Sequence, residues 1–300
     1  MLSICIPVFN LEIAELYCAL QAQIDSSKKE IEIVVIDDDS KEAFKIANRK
    51  TCAESTYIEL PENVGRAKIR NLFLKHTKYD NLLFLDCDSK ITDINYLENY
   101  IKLLNKKAIQ VVFGGSYYHA KKPNREHLLR WEYGTKKENK PIQVRKKLKN
   151  KAFLTNNFLI ERTVFEKNKF DESLTKYGYE DTLFGYNLTL NGYRISQIDN
   201  PVLNNEFDTN IEYLNKVRES IDNLYIIIQK HNYDEGLFEH IKLLKAYKKI
   251  EQKKILKAYN LLFKLKKPVI LVLLKSGFYG SLALFNYYKL GLICEKLSKK

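Results

Sequence analysis

Glycine is missing where nucleotide-binding chains most often use it. The first of the 11 glycines is Gly65, so the first apolar segment is followed by neither a G-x-G-x-x-G fingerprint nor a P-loop. The five cysteines (Cys5, Cys18, Cys52, Cys87, Cys294) are odd in number, scattered and without metal-type spacing, and the five histidines form no cluster. A disulfide framework and a Cys/His metal cage are therefore excluded, and reduced thiols in a cytosolic compartment are expected. The N-terminus lacks a basic segment followed by a long apolar core, so no signal peptide is expected. Long uncharged runs are also lacking. The longest in the C-terminal tail covers 276–288, too short to span a bilayer.

Acid is what the tail has least of. From His240 to Lys300 there are 15 lysines and two glutamates, Glu251 and Glu295, a balance of +13. The preceding 239 residues hold 35 basic and 35 acidic side chains. The whole surplus of the chain thus lies in the tail, as in segments that meet nucleic acid or an anionic membrane, or that simply carry a solvated helix face.

The 300 residues, 45% of them apolar, suffice for one large or two ordinary domains. Strand-like runs at Leu2 to Pro7, Ile31 to Ile36, Tyr57 to Leu60, Asn81 to Leu85 and Val111 to Phe113 alternate with helical patterns near 13–24, 43–53, 65–77 and 96–104. Such alternation predicts an α/β fold with a mostly parallel central sheet flanked by helices.

The most informative stretch is Leu82-Leu83-Phe84-Leu85-Asp86-Cys87-Asp88. An unbroken apolar run suits a strand buried on both faces, and its period of two sends Asp86 and Asp88 from the strand end to the same side. Open α/β sheets bind ligands at that end. Taken alone, D-x-D reads equally as a metal site or a solvated loop. Two more acidic segments, Asp37-Asp38 after the second strand and Glu180-Asp181 before a helical run, add carboxylates; the plain reading of the latter is helix N-terminal charge. With no glycine-rich turn to cradle phosphates, a cation held by Asp86 and Asp88 would neutralise them, and hard oxygen ligands favour Mg2+ or Mn2+.

Together, Ile6-Pro7-Val8-Phe9-Asn10, Val34 to Ser40 with its D-D-x-S, Asn63-Val64-Gly65-Arg66 through Arg70-Asn71, Asp86-Cys87-Asp88 and Tyr179-Glu180-Asp181 resemble, in order and spacing, the family 2 glycosyltransferases. The resemblance runs from residue 1 to about 215. It implies a GT-A fold over 1–215 and leaves 216–300 as a helical C-terminal extension. It further implies that Pro7 and Asn10 line a nucleotide cleft, that Asp38 accepts from the donor base (uracil), and that Arg70 lies near the nucleotide. Asp88 would bind a divalent metal, Mn2+ or Mg2+, on the diphosphate, with Asp86 beside the donor sugar and also a candidate ligand. Asp181 would be the general base toward the acceptor hydroxyl, with Glu180 its neighbour, in an inverting transfer from a nucleotide-diphosphate sugar to a glycan or lipid-linked glycan, as in polysaccharide biosynthesis. A nucleoside diphosphate leaves with negative charge, which a metal stabilises, while one carboxylate removes the acceptor proton. No serine or cysteine triad is required.

One departure stands out. Many members carry a metal-completing histidine after the E-D motif; here the stretch is Asn200 to Glu206, with Asn204 or Glu206 in its place. Trp131, the sole tryptophan, lies in a basic insertion and is a candidate sugar platform, and Asn157 a candidate border of the acceptor site. A non-catalytic, glycan-binding scaffold at the membrane is the alternative function. A haloacid-dehalogenase-type phosphatase is disfavoured, because Lys90 stands two residues beyond the D-x-D and the motif is on the fourth strand.

In the tail, Leu243 to Phe263 reads as a basic amphipathic helix, stopped by Pro268. The mostly apolar 269–293 that follows, interrupted by Lys275 and Lys289, predicts a segment lying in a membrane interface rather than crossing it. The expected location is cytoplasmic, peripherally attached to the inner face of the membrane through 240–300. No nucleic-acid partner is expected, because the aromatics do not interleave with the lysines as a stacking platform would.

Overall fold

The computed structural model describes residues 1–104, 110–204, 208–278, 280 and 282–298. In chain order the elements begin β1 (Leu2–Val8), α1 (Ala14–Asp25), β2 (Ile31–Asp37), α2 (Glu42–Thr51), β3 (Thr56–Glu59), α3 (Gly65–His76), β4 (Asn81–Leu85) and β5 (Ser89–Lys90). They continue α4 (Tyr96–Leu104), β6 (Val111–Phe113), β7 (Ser116–Tyr118), α5 (Leu128–Tyr133), α6 (Ile142–Leu148), β8 (Asn157–Glu161) and α7 (Arg162–Lys167). The remainder is α8 (Glu180–Leu190), β9 (Ile195–Gln197), β10 (Val202–Asn204), α9 (Asn210–Lys230), α10 (Glu235–His240), α11 (Lys242–Gln252), α12 (Leu256–Ser276) and α13 (Leu282–Leu297).

The chain forms two compact units. The first comprises Met1–His119, Glu138–Thr175 and Asn187–Glu206. Its main sheet has the order β3-β2-β1-β4-β8-β6-β9, and β8 alone runs antiparallel to its neighbours. The predicted strands are present, and their apolar runs are explained by burial on both faces: every side chain from Leu82 to Leu85 is inaccessible to solvent. Phe84 stacks on Phe158 at 4.8 Å, and Phe73 meets it edge-on at 5.6 Å. A chain that builds β1, β2 and β3 outward and then returns to place β4 beside β1 reverses its winding between β1 and β4. Ligands bind outside the carboxyl ends of strands at such a reversal.

A second sheet, β5-β10-β7, starts at Ser89. The chain turns tightly between the two sheets, with the Ser89 N–H donating to the Asp86 carbonyl at 3.1 Å. Cys87 and Asp88 therefore lie in a turn, and the two-residue alternation expected to carry Asp86 and Asp88 to one side stops at Asp86.

The second unit comprises Ala120–Lys137, Lys176–Tyr186 and Phe207–Lys300. It is helical, and the boundary expected at 215 falls inside the uninterrupted α9. That helix begins with a reciprocal capping box between Thr209 and Glu212. Its apolar face packs with Leu129, Phe263, Ile270, Leu274, Phe285 and Tyr288 in one core.

Two tail expectations are corrected. The helix break lies between α11 and α12, where Lys254 adopts a left-handed φ of 57°, and α12 continues through Pro268. Proline removes the donor to the carbonyl four residues back and its ring crowds that carbonyl, but both Lys264 and Pro268 are exposed, so the carbonyl can tilt outward and water can serve it. On α13, Phe285, Tyr288 and Ile293 are fully buried within this unit rather than presented outward, while Leu284, Tyr287, Leu290 and Leu292 are half-buried. No helix among the described residues is long and apolar enough to cross a membrane.

Candidate active site

In the first unit, the carboxyl ends of β1, β2 and β4 supply the predicted donor-site residues. Pro7 is the sixth residue of β1, opposite Ile36, beyond the stretch where β1 pairs with β4. Asn10 follows with φ 52°, a left-handed conformation asparagine tolerates. Its carboxamide oxygen accepts from the Lys41 N–H at 2.8 Å, and its own N–H donates to Ser40 Oγ at 2.7 Å. Asn10 thus ties the loops after β1 and β2 together.

The three consecutive aspartates at the end of β2, Asp37 to Asp39, divide the work. Asp37 is fully buried; its carboxylate accepts from the Ser40 N–H at 2.7 Å and the Tyr57 hydroxyl at 2.9 Å. Asp39 is exposed and pairs with Lys45. Asp38 caps α3: its two oxygens accept from the Val64 N–H at 2.7 Å and the Gly65 N–H at 3.0 Å. Burial raises its pKa above the usual carboxylate value, and these two N–H groups oppose that shift. Each carboxylate oxygen has a second lone pair, so capping leaves Asp38 with acceptor capacity.

Asp86 is clamped by α3. Arg70 Nη2 donates to its Oδ1 at 2.6 Å and Arg66 Nη2 to its Oδ2 at 3.2 Å. Arg70 is only 2% exposed, so its guanidinium fixes Asp86 rather than standing open to a nucleotide. Arg66 is named in the motif but given no role there, although two arginines four residues apart on a predicted helix share a face. The Asp86 N–H donates to the Asn156 carbonyl at 3.1 Å. Asp88 is half-buried on the turn that follows. Burial pushes the Cys87 thiol between them up to about 12, leaving a neutral side chain there at neutral pH.

Asn204, in β10, lies opposite Ser89, one residue beyond Asp88. Its oxygen accepts from Asn156 Nδ2 at 3.4 Å. The position expected for a metal-completing histidine is thus an amide beside the D-x-D turn; Glu206 lies outside the described residues. Among the described residues no group of three or more His, Cys, Asp and Glu forms a metal cage. The residues present nevertheless fit a divalent cation, because Mg2+-type ions are commonly held by one or two carboxylates plus substrate phosphates. Asp88, on the turn beside Asn204, is the candidate ligand, and Asp86 is engaged by two guanidinium groups.

Asn157 is corrected. Its side chain is fully buried, its oxygen accepting from the Tyr96 and Tyr100 hydroxyls at 2.6 and 2.7 Å, and its amide donating to the carbonyls of Gly115 and Asn200 at 2.8 and 2.9 Å. With every hydrogen-bonding group used in the interior, it is an internal staple and borders no acceptor.

The remaining predicted residues belong to the second unit. Glu180, buried, and Asp181, half-buried, open α8. The approach is a sharp turn with Gly178 at φ 94° and Tyr179 at φ 66°. A Cβ at Gly178 would lie 2.5 Å from that of Ser220, so space and backbone both require glycine. Asn223 of α9, unremarked in the sequence, holds this turn by donating to the Lys176 and Gly178 carbonyls at 2.6 and 3.0 Å. The Asp181 carboxylate accepts from the Thr182 N–H at 2.6 Å. Trp131 is half-buried on α5.

A family model described as glycosyl transferase family 2 matches residues 3–168. An uncharacterized glycosyltransferase from Haemophilus influenzae is 34% identical over 88 residues, 29% of each chain; the match thus spans under a third of that relative. Among solved structures, the fold is similar to that of the mannosyltransferase PcManGT from Pyrobaculum calidifontis, in complex with GDP-Man and Mn2+, with TM-score 0.59 and 16% identity over 99% of this chain and 86% of that one. S. aureus TarS residues 1–349 in complex with UDP gives TM-score 0.52 and 19% identity over 99% and 91%. Glucosyl-3-phosphoglycerate synthase from Mycobacterium tuberculosis, with Mn2+, UDP-glucose and phosphoglyceric acid, gives TM-score 0.51 and 16% identity over 78% and 80%. With the reversal of strand order, the capped Asp38 and the clamped D-x-D already in place, the family match over more than half of the chain makes the conclusion direct: this is a glycosyltransferase of family 2 with a GT-A fold.

Proposed function

We propose that the enzyme transfers a sugar, with inversion, from a nucleotide-diphosphate donor, a uridine diphosphate sugar, to a hydroxyl of a glycan or lipid-linked glycan. The observation that supports this best is the edge formed by the ends of β1, β2 and β4, where Asp38, the Arg66–Asp86–Arg70 clamp and Asp88 meet at the reversal of strand order. The neighbours whose structures hold UDP or UDP-glucose support a uridine donor, and the one with GDP-Man makes guanosine the comparison to run.

In this reading Asp38 accepts from the base N–H with its spare lone pairs, and Pro7 and Asn10 shape the wall beside it. Asp86, with its charge offset by two guanidinium groups, orients the donor sugar by accepting from its hydroxyls. Asp88 holds Mn2+ or Mg2+ on the diphosphate, and Asn204 offers an amide oxygen where a histidine is common. Bound there, the cation would stabilise the charge of the leaving diphosphate as a Lewis acid. Asp181 takes the proton of the acceptor hydroxyl as its oxygen bonds to the anomeric carbon from the face opposite the departing diphosphate, which leaves with the electron pair of the broken bond. Glu180 and Trp131 are assigned to the acceptor. The basic helical region points to an anionic membrane surface as partner, and hence to a peripheral location on the cytoplasmic leaflet.

Calorimetric titration with uridine and guanosine diphosphate sugars, in Mn2+ or in EDTA, tests the donor assignment. Uridine donors should bind at least about tenfold more tightly with Mn2+, and Asp88→Ala should abolish that difference. Equal affinity in both buffers would sink the metal role, and a preference for guanosine donors would overturn the base assignment.

A further inference from the structure

The proposed membrane partner has no address in that reading, and within the segment expected to supply it, 269–293, Phe285, Tyr288 and Ile293 of α13 turn into the core while Val269 and Val272 of α12 stay exposed. The structure assigns the contact instead to one face of α12: we infer that this face lies in the surface of an anionic lipid leaflet. The inference rests on the proposed location of the acceptor, but its test reads lipid binding alone.

Leu261, Leu262, Leu265, Val269 and Val272 are all exposed, Leu265 at 70% and Val272 at 66%. With 3.6 residues per turn they share, together with Ala258, an arc of about 100°. The inner face of the same helix buries Phe263, Ile270 and Leu274. Five exposed aliphatic side chains in one row are unusual on a soluble surface and mark an interaction site.

Charge identifies the occupant. Lys257, Lys264 and Lys275 run along one border of the stripe and Lys266 along the other, and α12 contains no acidic residue. All four are exposed, and among the described residues none makes an ion pair. Lys267, turned toward the helical core, is different: it pairs with Glu295 of α13 at 2.7 Å. Apolar side chains bordered by three unpaired lysines on one side and Lys266 on the other suit a helix lying at the boundary of headgroups and acyl chains, with its ammonium groups among lipid phosphates. A second copy of this chain fits less well, because a two-fold contact through the stripe would bring the lysines of both copies together with no acidic residue on the helix to offset them. Pro268 agrees with the lipid assignment: the carbonyl it frees is that of Lys264, at the level of the headgroups rather than within the row.

Flotation of the full-length protein with phosphatidylcholine vesicles, with and without phosphatidylglycerol, tests the inference. The native chain should float with the anionic vesicles, and high salt should reduce but not abolish this. Leu265→Gln with Val269→Gln should lower partitioning at least about tenfold at either salt concentration. Lys264→Gln with Lys266→Gln should lower it only at low salt, while Ile94→Gln, an exposed apolar site elsewhere, should leave it unchanged. The altered side chains are exposed, so melting temperatures should match the native protein. A native chain that ignores anionic vesicles overturns the inference, as does a Leu265/Val269 variant that floats undiminished. Light scattering that shows a dimer converted to monomer by that variant would assign the stripe to a second copy. Donor affinity, measured on the same variants, is expected to stay unchanged and separates this failure from failure of the donor assignment.

Discussion

The two units solve opposite problems. The first buries polar groups in specific bonds: Asp37, Asp38, Arg70 and Asn157 are all shielded from water, and each is held by named donors or acceptors. The second buries aromatic and aliphatic side chains around α9, α12 and α13 and leaves lysines in solvent. A buried polar network specifies geometry because an unmade bond inside is costly. An apolar helical core specifies mostly volume and shape. The difference teaches where substitutions should be sensitive: the first unit to chemistry, the second to size.

The hardest test of that contrast is Arg70→Ala. It leaves Asp86 beside a void with Arg66 as its remaining partner, and breaking a buried pair of this kind costs roughly 3 kcal/mol, the lower end of the usual range because Asp86 keeps Arg66 and some solvent contact. A thermal melt should fall by several degrees and donor binding should weaken; a melt indistinguishable from the native one would show that the clamp does not matter. Asp181→Asn comes next. It is nearly isosteric but takes no proton, so sugar-nucleotide hydrolysis should slow by ~10², about 2.7 kcal/mol of barrier, with donor affinity within a few-fold. Near-native turnover would move the base to Glu180 or elsewhere.

Gly291→Ala probes the size-sensitive side. A Cβ there would stand 2.2 Å from the Phe263 ring, and forcing α12 and α13 apart should cost about 1–3 kcal/mol without altering donor affinity. Tolerance of alanine would mean the helical core yields more readily than its packing suggests. The smallest effect is expected from Asp222→Asn. Asp222 accepts from Lys176 at 2.8 Å and from Lys296 at 2.5 Å, which holds its carboxyl below the usual carboxylate range. Its folded value being depressed, the stabilisation is present above the unfolded value, about 3.9, and is lost as pH falls through the folded one. Partial exposure limits it to about 1 kcal/mol or less. Acid denaturation curves of native and variant chains should differ at neutral pH by that amount and converge in strong acid; a constant offset would rule the linkage out.

Much of this was legible beforehand where periodicity or a local motif governs. The strand ending at Leu85 and the charge of the tail follow from residue type and spacing. Arg66 was legible in principle from its i,i+4 relation to Arg70. Asn157 was misread because the sequence between Thr155 and Phe158 looks like a polar loop, whereas the partners that bury it come from Tyr96, Tyr100, Gly115 and Asn200, 42 to 61 positions away. Pro268 was misread because helix breaking depends on whether water can reach the freed carbonyl.

By itself, then, the sequence determined the α/β alternation, the family, the carboxylates that follow the second and fourth strands and the confinement of +13 to the tail, since each is a matter of local pattern or composition. Only the tertiary structure decided which of those carboxylates is spent on arginines, which asparagine is an interior staple, and which of two apolar tail helices is core and which shows its face. Those outcomes depend on neighbours brought together from distant parts of the chain, and burial, unlike hydropathy, is a property of the packed molecule.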